Sequence, residues 1–251
     1  MRIAVLNLTG HPMPLFDGLP RAATQIINWL SIELKEAEFY SVSVEADNEE
    51  LPVPDNFDGL IVSGSEHGVY DTRPWMAPLR NLLIETKQAG KPIYGICFGH
   101  QIMADTFGGK AEKSQIGNVV GARQFDFQGK LNDVYVWHRD QVTSAPPEAH
   151  VTATAGYCAV GALSYDFPAA SVQFHPEYTE PHLRKMFELA SGHFLTTEDV
   201  NAAIASFKNV EIDGKLFASK AADFSDSTAK ILRASNLLCE ASMVIVASIL
   251  A

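Results

Sequence analysis

Short apolar runs alternate with longer amphipathic stretches over roughly the first hundred residues of the chain. The apolar runs predict strands at 2–8, 38–44 and 59–62, with a fourth opening at residue 92. Helices are predicted between them, near 19–33 and 74–88, where Pro74 suits a helix start and Gly90 a helix end. Strands that alternate with helices indicate βαβ units and a parallel sheet covered on both faces.

Beyond Lys110 the pattern becomes richer in strands. Apolar runs predict strands at 119–127, 133–137, 151–155 and 170–174, followed by a helix at 180–191. We therefore predict an α/β fold, an open and mostly parallel sheet flanked by helices, in a domain of residues 1–193.

The remaining segment, 194–251, is predicted to be a helical C-terminal extension. It shows no strand pattern, and its Ala-rich composition favours two helices with Thr197 and Ser225 as N-caps. Residues 241–251 are apolar, but a membrane span needs about 20 residues. We interpret them as the buried end of a helix.

The most informative stretch surrounds Cys97. A predicted strand runs into Gly95-Ile-Cys97-Phe-Gly99, and a helix follows. Glycine two positions before and after the cysteine permits the tight turn of a nucleophile elbow. The helix start directs N–H groups and a positive dipole end at the sulfur, which favours the thiolate. The alternative, that Cys97 is a small buried residue at a strand end, remains open on this stretch alone.

A candidate base follows a later strand. The run Ser171-Val-Gln-Phe-His175-Pro-Glu177 ends in a histidine with a carboxylate two residues beyond. A thiol nucleophile needs a base within hydrogen-bond reach, and the base needs an orienting group. Because active groups gather beyond the carboxyl ends of parallel strands, Cys97 and His175 are predicted to converge. A lone histidine at a strand end is usually a polar cap, so the predicted active site rests on this run together with the Cys97 turn.

Composition narrows the class of partner and the compartment. The net charge of −11, from 30 acidic and 19 basic residues, disfavours nucleic acid. The cysteines at 97, 158 and 239 form no C-x-x-C pair, and so sparse a set suits a reducing compartment. The N-terminus lacks a signal-peptide pattern, so we expect a cytoplasmic protein without membrane association. We expect no cofactor and no metal, since five histidines lack metal-ligand spacing and are interpreted as surface or cap residues: His11, His67, His150, His182 and His193.

The motif from Gly95 to Gln101, with Phe174-His175-Pro-Glu177 downstream, resembles the class I (triad-type) glutamine amidotransferases. The residues of the motif are most similar to those of the GMP synthase amidotransferase domain and its stand-alone relatives. The segments 63–71 and 137–142 add to the resemblance, which covers about residues 1–193 and implies a flavodoxin-like fold. The loop carries Ser65-Glu66 where many relatives have Gly-Pro, which puts the second oxyanion donor in question.

The resemblance implies a catalytic triad of Cys97, His175 and Glu177. The thiol would attack the side-chain amide of glutamine and form a thioester, and the imidazole, oriented by the carboxylate, would pass the proton to ammonia. It also implies a set of oxyanion and substrate-binding residues: Gly64, Ser65, Phe98, Gln101, Tyr157 and Cys158.

Several polar or aromatic residues near these motifs have simpler interpretations. We expect His100 to pack or hydrogen-bond inside the fold, His138 and Asp140 to organise a turn, and Tyr70 and Trp75 to anchor a loop or the core.

Three functions remain open. The first is glutamine hydrolysis to glutamate and ammonia, which calls for an ammonia-accepting synthase partner. The second is a γ-glutamyl peptidase or hydrolase that acts on larger γ-glutamyl amides by the same acyl-transfer chemistry. The third is a catalytically silent binding module of the same fold. A homodimer is compatible with all three.

Overall fold

The computed structural model of the protein describes residues 1–10, 16–208, 210, 212, 217, 218 and 221. The predicted N-cap Ser225, the helix expected after it, the helix end at 241–251 and Cys239 lie outside these residues. Within the described residues, no helix is long and apolar enough to cross a bilayer.

The secondary structure alternates at first and then becomes mostly β. The strands are β1 (Arg2–Asn7), β2 (Glu38–Ser43), β3 (Gly59–Val62), β4 (Ile93–Ile96), β5 (Lys110–Lys113), β6 (Val119–Phe127), β7 (Lys130–His138), β8 (Asp140–Ser144), β9 (Ala149–Ala155), β10 (Cys158–Tyr165) and β11 (Ala169–Val172). The helices are α1 (Ala22–Leu30), α2 (Val44–Asp47), α3 (Met76–Gln88), α4 (Phe98–Thr106), α5 (Glu180–Ala190) and α6 (Thr197–Ala205).

Nine strands form one mixed sheet in the order β2-β1-β3-β4-β11-β10-β9-β6-β7. The five strands from β2 to β11 are parallel. The strands from β10 to β7 extend the sheet with antiparallel pairs, and β5 and β8 pair separately. The predicted α/β fold with a large helix-flanked sheet is confirmed. The parallel half brings the ends of β3, β4 and β11 together at one edge.

Helices cover the parallel strands on both faces because alternate strand residues point in opposite directions. In β1, Ala4 and Leu6 join the cluster that includes α3 and α4, whereas Ile3 and Val5 join the cluster that includes α1. This double burial explains why the parallel strands are nearly continuous apolar runs.

Helix boundaries agree with most of the predicted signals and correct two. Gly90 has φ +65° just after the end of α3, as a terminating glycine should. Pro74, however, lies before the N-cap residue Trp75 rather than in the first turn. The N-cap of α6 is Thr196, not Thr197, because the Thr196 hydroxyl accepts a 3.0 Å hydrogen bond from the Asp199 N–H in a capping box.

The helix α6 packs closely against the antiparallel half of the sheet. A Cβ atom on Gly121 of β6 would lie 2.5 Å from the Ser206 hydroxyl and 2.9 Å from the Ala203 Cα. The close approach buries Ala203 and Phe207 together with Phe187 of α5. A third apolar layer therefore joins α5 and α6 to the strands that carry Tyr135 and Trp137.

Candidate active site

Cys97 occupies the turn between β4 and α4 with a strained backbone. Its φ of 55° and ψ of −103° place a non-glycine residue in a region that L-residues rarely adopt. The Cys97 N–H donates to the Val172 carbonyl at 2.8 Å, and its carbonyl accepts from the Gln101 N–H at 3.1 Å. Strain of this kind persists only where the surroundings hold it, and it clusters at functional sites.

The two glycines around Cys97 are required by close packing. A Cβ atom on Gly95 would lie 2.5 Å from the Met103 sulfur and 2.7 Å from the Gly99 backbone. A Cβ atom on Gly99 would lie 2.2 Å from the Val62 carbonyl oxygen. The turn is therefore pressed against the neighbouring strand β3, and the predicted elbow geometry is present.

His175 and Glu177 follow β11 and form a buried pair. The His175 N–H donates to the Tyr135 carbonyl at 2.8 Å, and its Nδ1 lies 2.7 Å from Glu177 Oε1. A Cβ atom on Gly64 would lie 3.2 Å from His175 Cε1 and 3.6 Å from Cys97 Cβ. The cysteine and the histidine thus converge on Gly64 from two different strands.

The electrostatic environment favours the charged imidazole. Burial lowers the pKa of His175, but the charges of Glu177 and Cys97 and the hydrogen bonds to both outweigh it, raising the pKa to about 10. Its ring stacks on Tyr178 with 4.2 Å between centroids and 5° between planes. The imidazolium is therefore held between a carboxylate, a sulfur and an aromatic face.

The buried side chain of Gln173 contacts the Cys97 sulfur and is hydrogen-bonded to a second buried glutamine, Gln101. Gln173 Nε2 donates to Cys97 Sγ at 3.7 Å, and its Oε1 accepts from Gln101 Nε2 at 3.2 Å. Gln101 Nε2 also donates to the Asp140 carbonyl at 2.9 Å. Sequence reasoning overlooked Gln173, although a polar residue inside the apolar run before His175 was a visible signal.

Cys97, His175 and Glu177 line a cavity of about 640 Å³. Predicted residues on its wall are Gly64, Ser65, Cys97, Gln101, His175 and Glu177. The Phe98 side chain is buried beneath the turn, so only its backbone could serve a ligand.

The structure does not place Tyr157 or Cys158 on this wall. Cys158 is fully buried at the start of β10, and burial raises the pKa of its thiol to about 12 despite a hydrogen bond to the Val160 carbonyl. The Tyr157 ring packs beneath His138, with 5.9 Å between centroids. Tyr157 lies in the turn between β9 and β10 and is half-buried there.

His138 and Asp140 have a place in the site that sequence reasoning did not assign. They form the expected turn, since His138 Nδ1 lies 3.2 Å from the Asp140 carbonyl, but both also line the cavity. Burial lowers the pKa of His138 to about 3, so its ring is neutral. Among the described residues His138 Nε2 and Asp140 Oδ2 are buried without a hydrogen-bond partner. Because Nδ1 of the neutral His138 ring faces the Asp140 carbonyl as a donor, its Nε2 is an acceptor.

The other histidines divide into structural and cavity residues. The buried role of His100 is confirmed: its ring nitrogens lie 2.7 Å from the Ser171 hydroxyl and 3.1 Å from the Val160 carbonyl. His150 and His193 are exposed as predicted, and His11 lies outside the described residues. The surface assignment is wrong for His67, in the loop after β3, and for His182, on α5, because both line the cavity.

Glu45, Glu66 and His67 are near enough to share a cation, with candidate ligand atoms within 4.8 Å of one another. Protein donors already use both carboxylates. Glu45 accepts from Arg73 and Trp75, and Glu66 accepts from the Gly10 N–H at 2.9 Å. These bonds make the cluster an anchor for the loop that follows β3, and they confirm the anchoring role of Trp75.

Comparison with known proteins finds one family and several relatives. The family described as glutamine amidotransferase class-I matches residues 22–189. Gamma-glutamyl peptidase 3 of Arabidopsis thaliana is 30% identical over 141 residues, 50% of this chain and 57% of that protein. A glutamine-hydrolyzing GMP synthase subunit of Methanopyrus kandleri is 36% identical over 124 residues, 44% of this chain and 66% of that protein. This chain therefore spans less than two thirds of either relative.

A solved structure supports the same fold over most of the chain. The glutamine amido transferase of Methylobacillus Flagellatus superposes with a TM-score of 0.69 at 17% identity, covering 90% of this chain and 93% of that one. The family match spans well over half of the present sequence and includes the cysteine elbow and the histidine–glutamate pair. The chain belongs to the class I glutamine amidotransferase family.

Proposed function

We propose that this protein hydrolyses the γ-amide bond of γ-glutamyl compounds through a thioester on Cys97. The observation that supports it best is the convergence of Cys97 and the His175–Glu177 pair on Gly64. The thiolate attacks the γ-carbonyl carbon, and a C–S bond replaces the C–N bond as His175 delivers its proton to the leaving nitrogen. Water then attacks the thioester carbon and gives its proton to His175, and the C–S bond breaks to release glutamate and restore the Cys97 thiolate.

Two backbone N–H groups are assigned to the oxyanion. One is that of Phe98, at the start of α4, and the other belongs to Gly64 or Ser65. The Gly99 N–H donates to the Ser63 carbonyl at 3.1 Å, which ties the loop of the second donor to the elbow. Loss of one such donor typically costs about 10²–10³ in turnover.

The amino-acid end of the substrate is assigned to Gln101, His138 and Asp140. The unpartnered His138 Nε2 and Asp140 Oδ2 are acceptors, and the α-ammonium group of a γ-glutamyl compound offers three donors. The resemblance implies backbone contacts from Tyr157 and Cys158 to the same end of the substrate, but neither residue is among the described residues that line the cavity.

The cavity favours a leaving group larger than ammonia. Sites for drug-sized ligands occupy about 300–1,000 Å³, and the 640 Å³ here lies well inside that range. Several similar proteins are named gamma-glutamyl peptidases. Glutamine would be the smallest substrate of the same site, and hydrolysis of glutamine for a synthase partner is the second candidate.

The test is a substrate panel with paired variants. Purified protein is incubated with glutamine and with γ-glutamyl peptides, and the release of glutamate and of the amine is measured. We expect turnover of γ-glutamyl peptides that falls below detection in Cys97→Ala and by several hundredfold in Glu177→Gln. The control is Glu188→Gln, an exposed carboxylate on α5 that pairs with Lys185 at 3.5 Å.

The outcomes separate the candidate functions. Turnover of glutamine but of no larger compound would favour the amidotransferase function. Undiminished activity in Cys97→Ala would exclude the thioester mechanism. A protein that hydrolyses nothing in the panel would support the silent binding module.

A further inference from the structure

The position of the base indicates where a leaving group must lie. His175 gives its proton to the departing nitrogen, so the amine leaves on the His175 side of the cavity. Tyr178 stacks on His175, and His182 lies 5.9 Å from Tyr178 between ring centroids. Met186 is four residues after His182 on α5 and therefore on the same face of that helix. These four side chains line one continuous wall that starts at the base.

This wall ends in a pair of phenylalanines from distant parts of the sequence. Phe16 precedes α1 and Phe194 follows α5, and their rings stack with 6.1 Å between centroids and 17° between planes. Both line the same cavity as Cys97, together with Leu19 and Met186. Phe194 is 43% exposed although it is apolar. The cavity thus presents an aromatic surface whose burial would favour binding.

The side chain between the base and the phenylalanines is uncharged. Burial lowers the pKa of His182, with the charge of Glu177 acting in the opposite direction, so its imidazole is neutral above its ordinary titration range. Arg21, the basic residue on the α1 side, is held in an ion pair with Asp47 at 2.6 Å. On this route His182 is therefore uncharged and Arg21 is already paired, and the charged residue beside the aromatic pair is Asp17, which also lines the cavity.

We propose that Phe16, Met186 and Phe194 form a leaving-group subsite for γ-glutamyl amides whose amine carries an aromatic or bulky apolar side chain. The proposal rests on the proposed hydrolysis of γ-glutamyl amides and specifies its substrate class. The γ-glutamyl part occupies the polar end near Gln101 and Asp140. The apolar side chain of the leaving amine covers the exposed face of Phe194.

A matched pair of substrates tests the subsite. γ-Glutamyl-phenylalanine and γ-glutamyl-alanine share the scissile bond and the terminal carboxylate and differ only by the phenyl ring. We expect kcat/KM of the wild-type protein to be about tenfold higher for the phenylalanine compound, the size of effect that aromatic contacts produce. In Phe194→Ala this ratio should fall towards one, while kcat/KM for γ-glutamyl-alanine stays unchanged. The matched control is Leu131→Ala, which removes an apolar side chain that is 62% exposed outside the cavity wall.

Each result supports or overturns the subsite. Turnover of γ-glutamyl-alanine reports correct folding of each variant, because its leaving group has no aromatic ring to contact Phe194. Equal kcat/KM for the two compounds in the wild-type protein, or an unchanged ratio in Phe194→Ala, overturns the subsite but leaves γ-glutamyl hydrolysis intact. Failure to hydrolyse either compound, with no difference between wild type and Cys97→Ala, overturns the proposed function and the subsite together.

Discussion

Gln173 offers the sharpest test of how the fold activates its cysteine. It is fully buried, donates to Cys97 Sγ at 3.7 Å and accepts from Gln101 at 3.2 Å. Replacing it by methionine keeps the length of the side chain and removes the donor without burying a new charge. Gln101 retains its bond to the Asp140 carbonyl, so the cavity wall stays in place.

The expected effect follows from the kind of bond that is lost. A hydrogen bond to a charged group contributes about 1.5–3 kcal/mol. Because about 1.4 kcal/mol is a factor of ten, loss of this donor should lower the reactivity of the Cys97 sulfur about tenfold or more. The matched control is Gln141→Met, which removes another buried amide whose Nε2 has no partner among the described residues.

The assay is alkylation of Cys97 by iodoacetamide at pH 7, followed by mass spectrometry of the peptide that contains it. We expect Gln173→Met to react about tenfold more slowly than the wild type, and Gln141→Met to react at the wild-type rate. A loosened fold would instead accelerate alkylation, because it would expose a cysteine that is only 6% accessible. Equal rates for Gln173→Met and the wild type would refute the reasoning.

Three further outcomes follow from packing and buried charge. Gly99→Ala forces a Cβ atom to 2.2 Å from a backbone oxygen and should lower the free energy of unfolding, measured in urea, by about 1–3 kcal/mol. The control Gly156→Ala, whose Cβ atom would have no neighbour within 4 Å, should change it little. The pKa of His175 is raised to about 10, so its charged form stabilises the fold fully below the ordinary histidine pKa, and this stabilisation is lost as the pH rises towards 10. The difference in unfolding free energy between wild type and Glu177→Gln, measured in urea, should therefore shrink from pH 6.5 to 10. A constant difference would contradict this. Burial lowers the pKa of His100 to about 4, so stability is lost as pH falls from 6.5 to 4. His100→Asn should flatten that acid loss, and an equally steep loss would show that another group causes it.

The parallel half of the sheet could be predicted from sequence because both faces of its strands are buried. Doubly buried strands appear as apolar runs, and the predicted strand at 59–62 matches β3 to the residue. The strands β5, β8 and β10 were not predicted. Lys110–Lys113 and Asp140–Ser144 are short and polar, and Cys158–Tyr165 is rich in small residues. What fixes such strands is pairing with neighbours, and sequence pattern records that poorly.

The candidate site likewise contains residues whose role could be predicted from sequence and residues whose role could not. Cys97 and His175 could be predicted because each stands beside local features with a chemical reason, glycines in one case and a nearby carboxylate in the other. His138 could not, because its role depends on a ring that faces the cavity and on a backbone carbonyl two residues away. The Phe16–Phe194 contact joins segments at opposite ends of the domain, so no local pattern predicts it.

The residues that react and the residues proposed to select the substrate lie in different parts of the fold. A buried ion pair costs several kcal/mol to desolvate, so its groups need a fixed geometry. His175 is held through the Tyr135 carbonyl of β7, and Cys97 through the Val172 carbonyl of β11, so both halves of the sheet fix the reacting groups. Phe16 and Phe194 lie instead on connecting segments outside the sheet, where substitutions are tolerated best. Changes at these two positions should therefore alter which amine is released while leaving the acyl transfer at Cys97 intact.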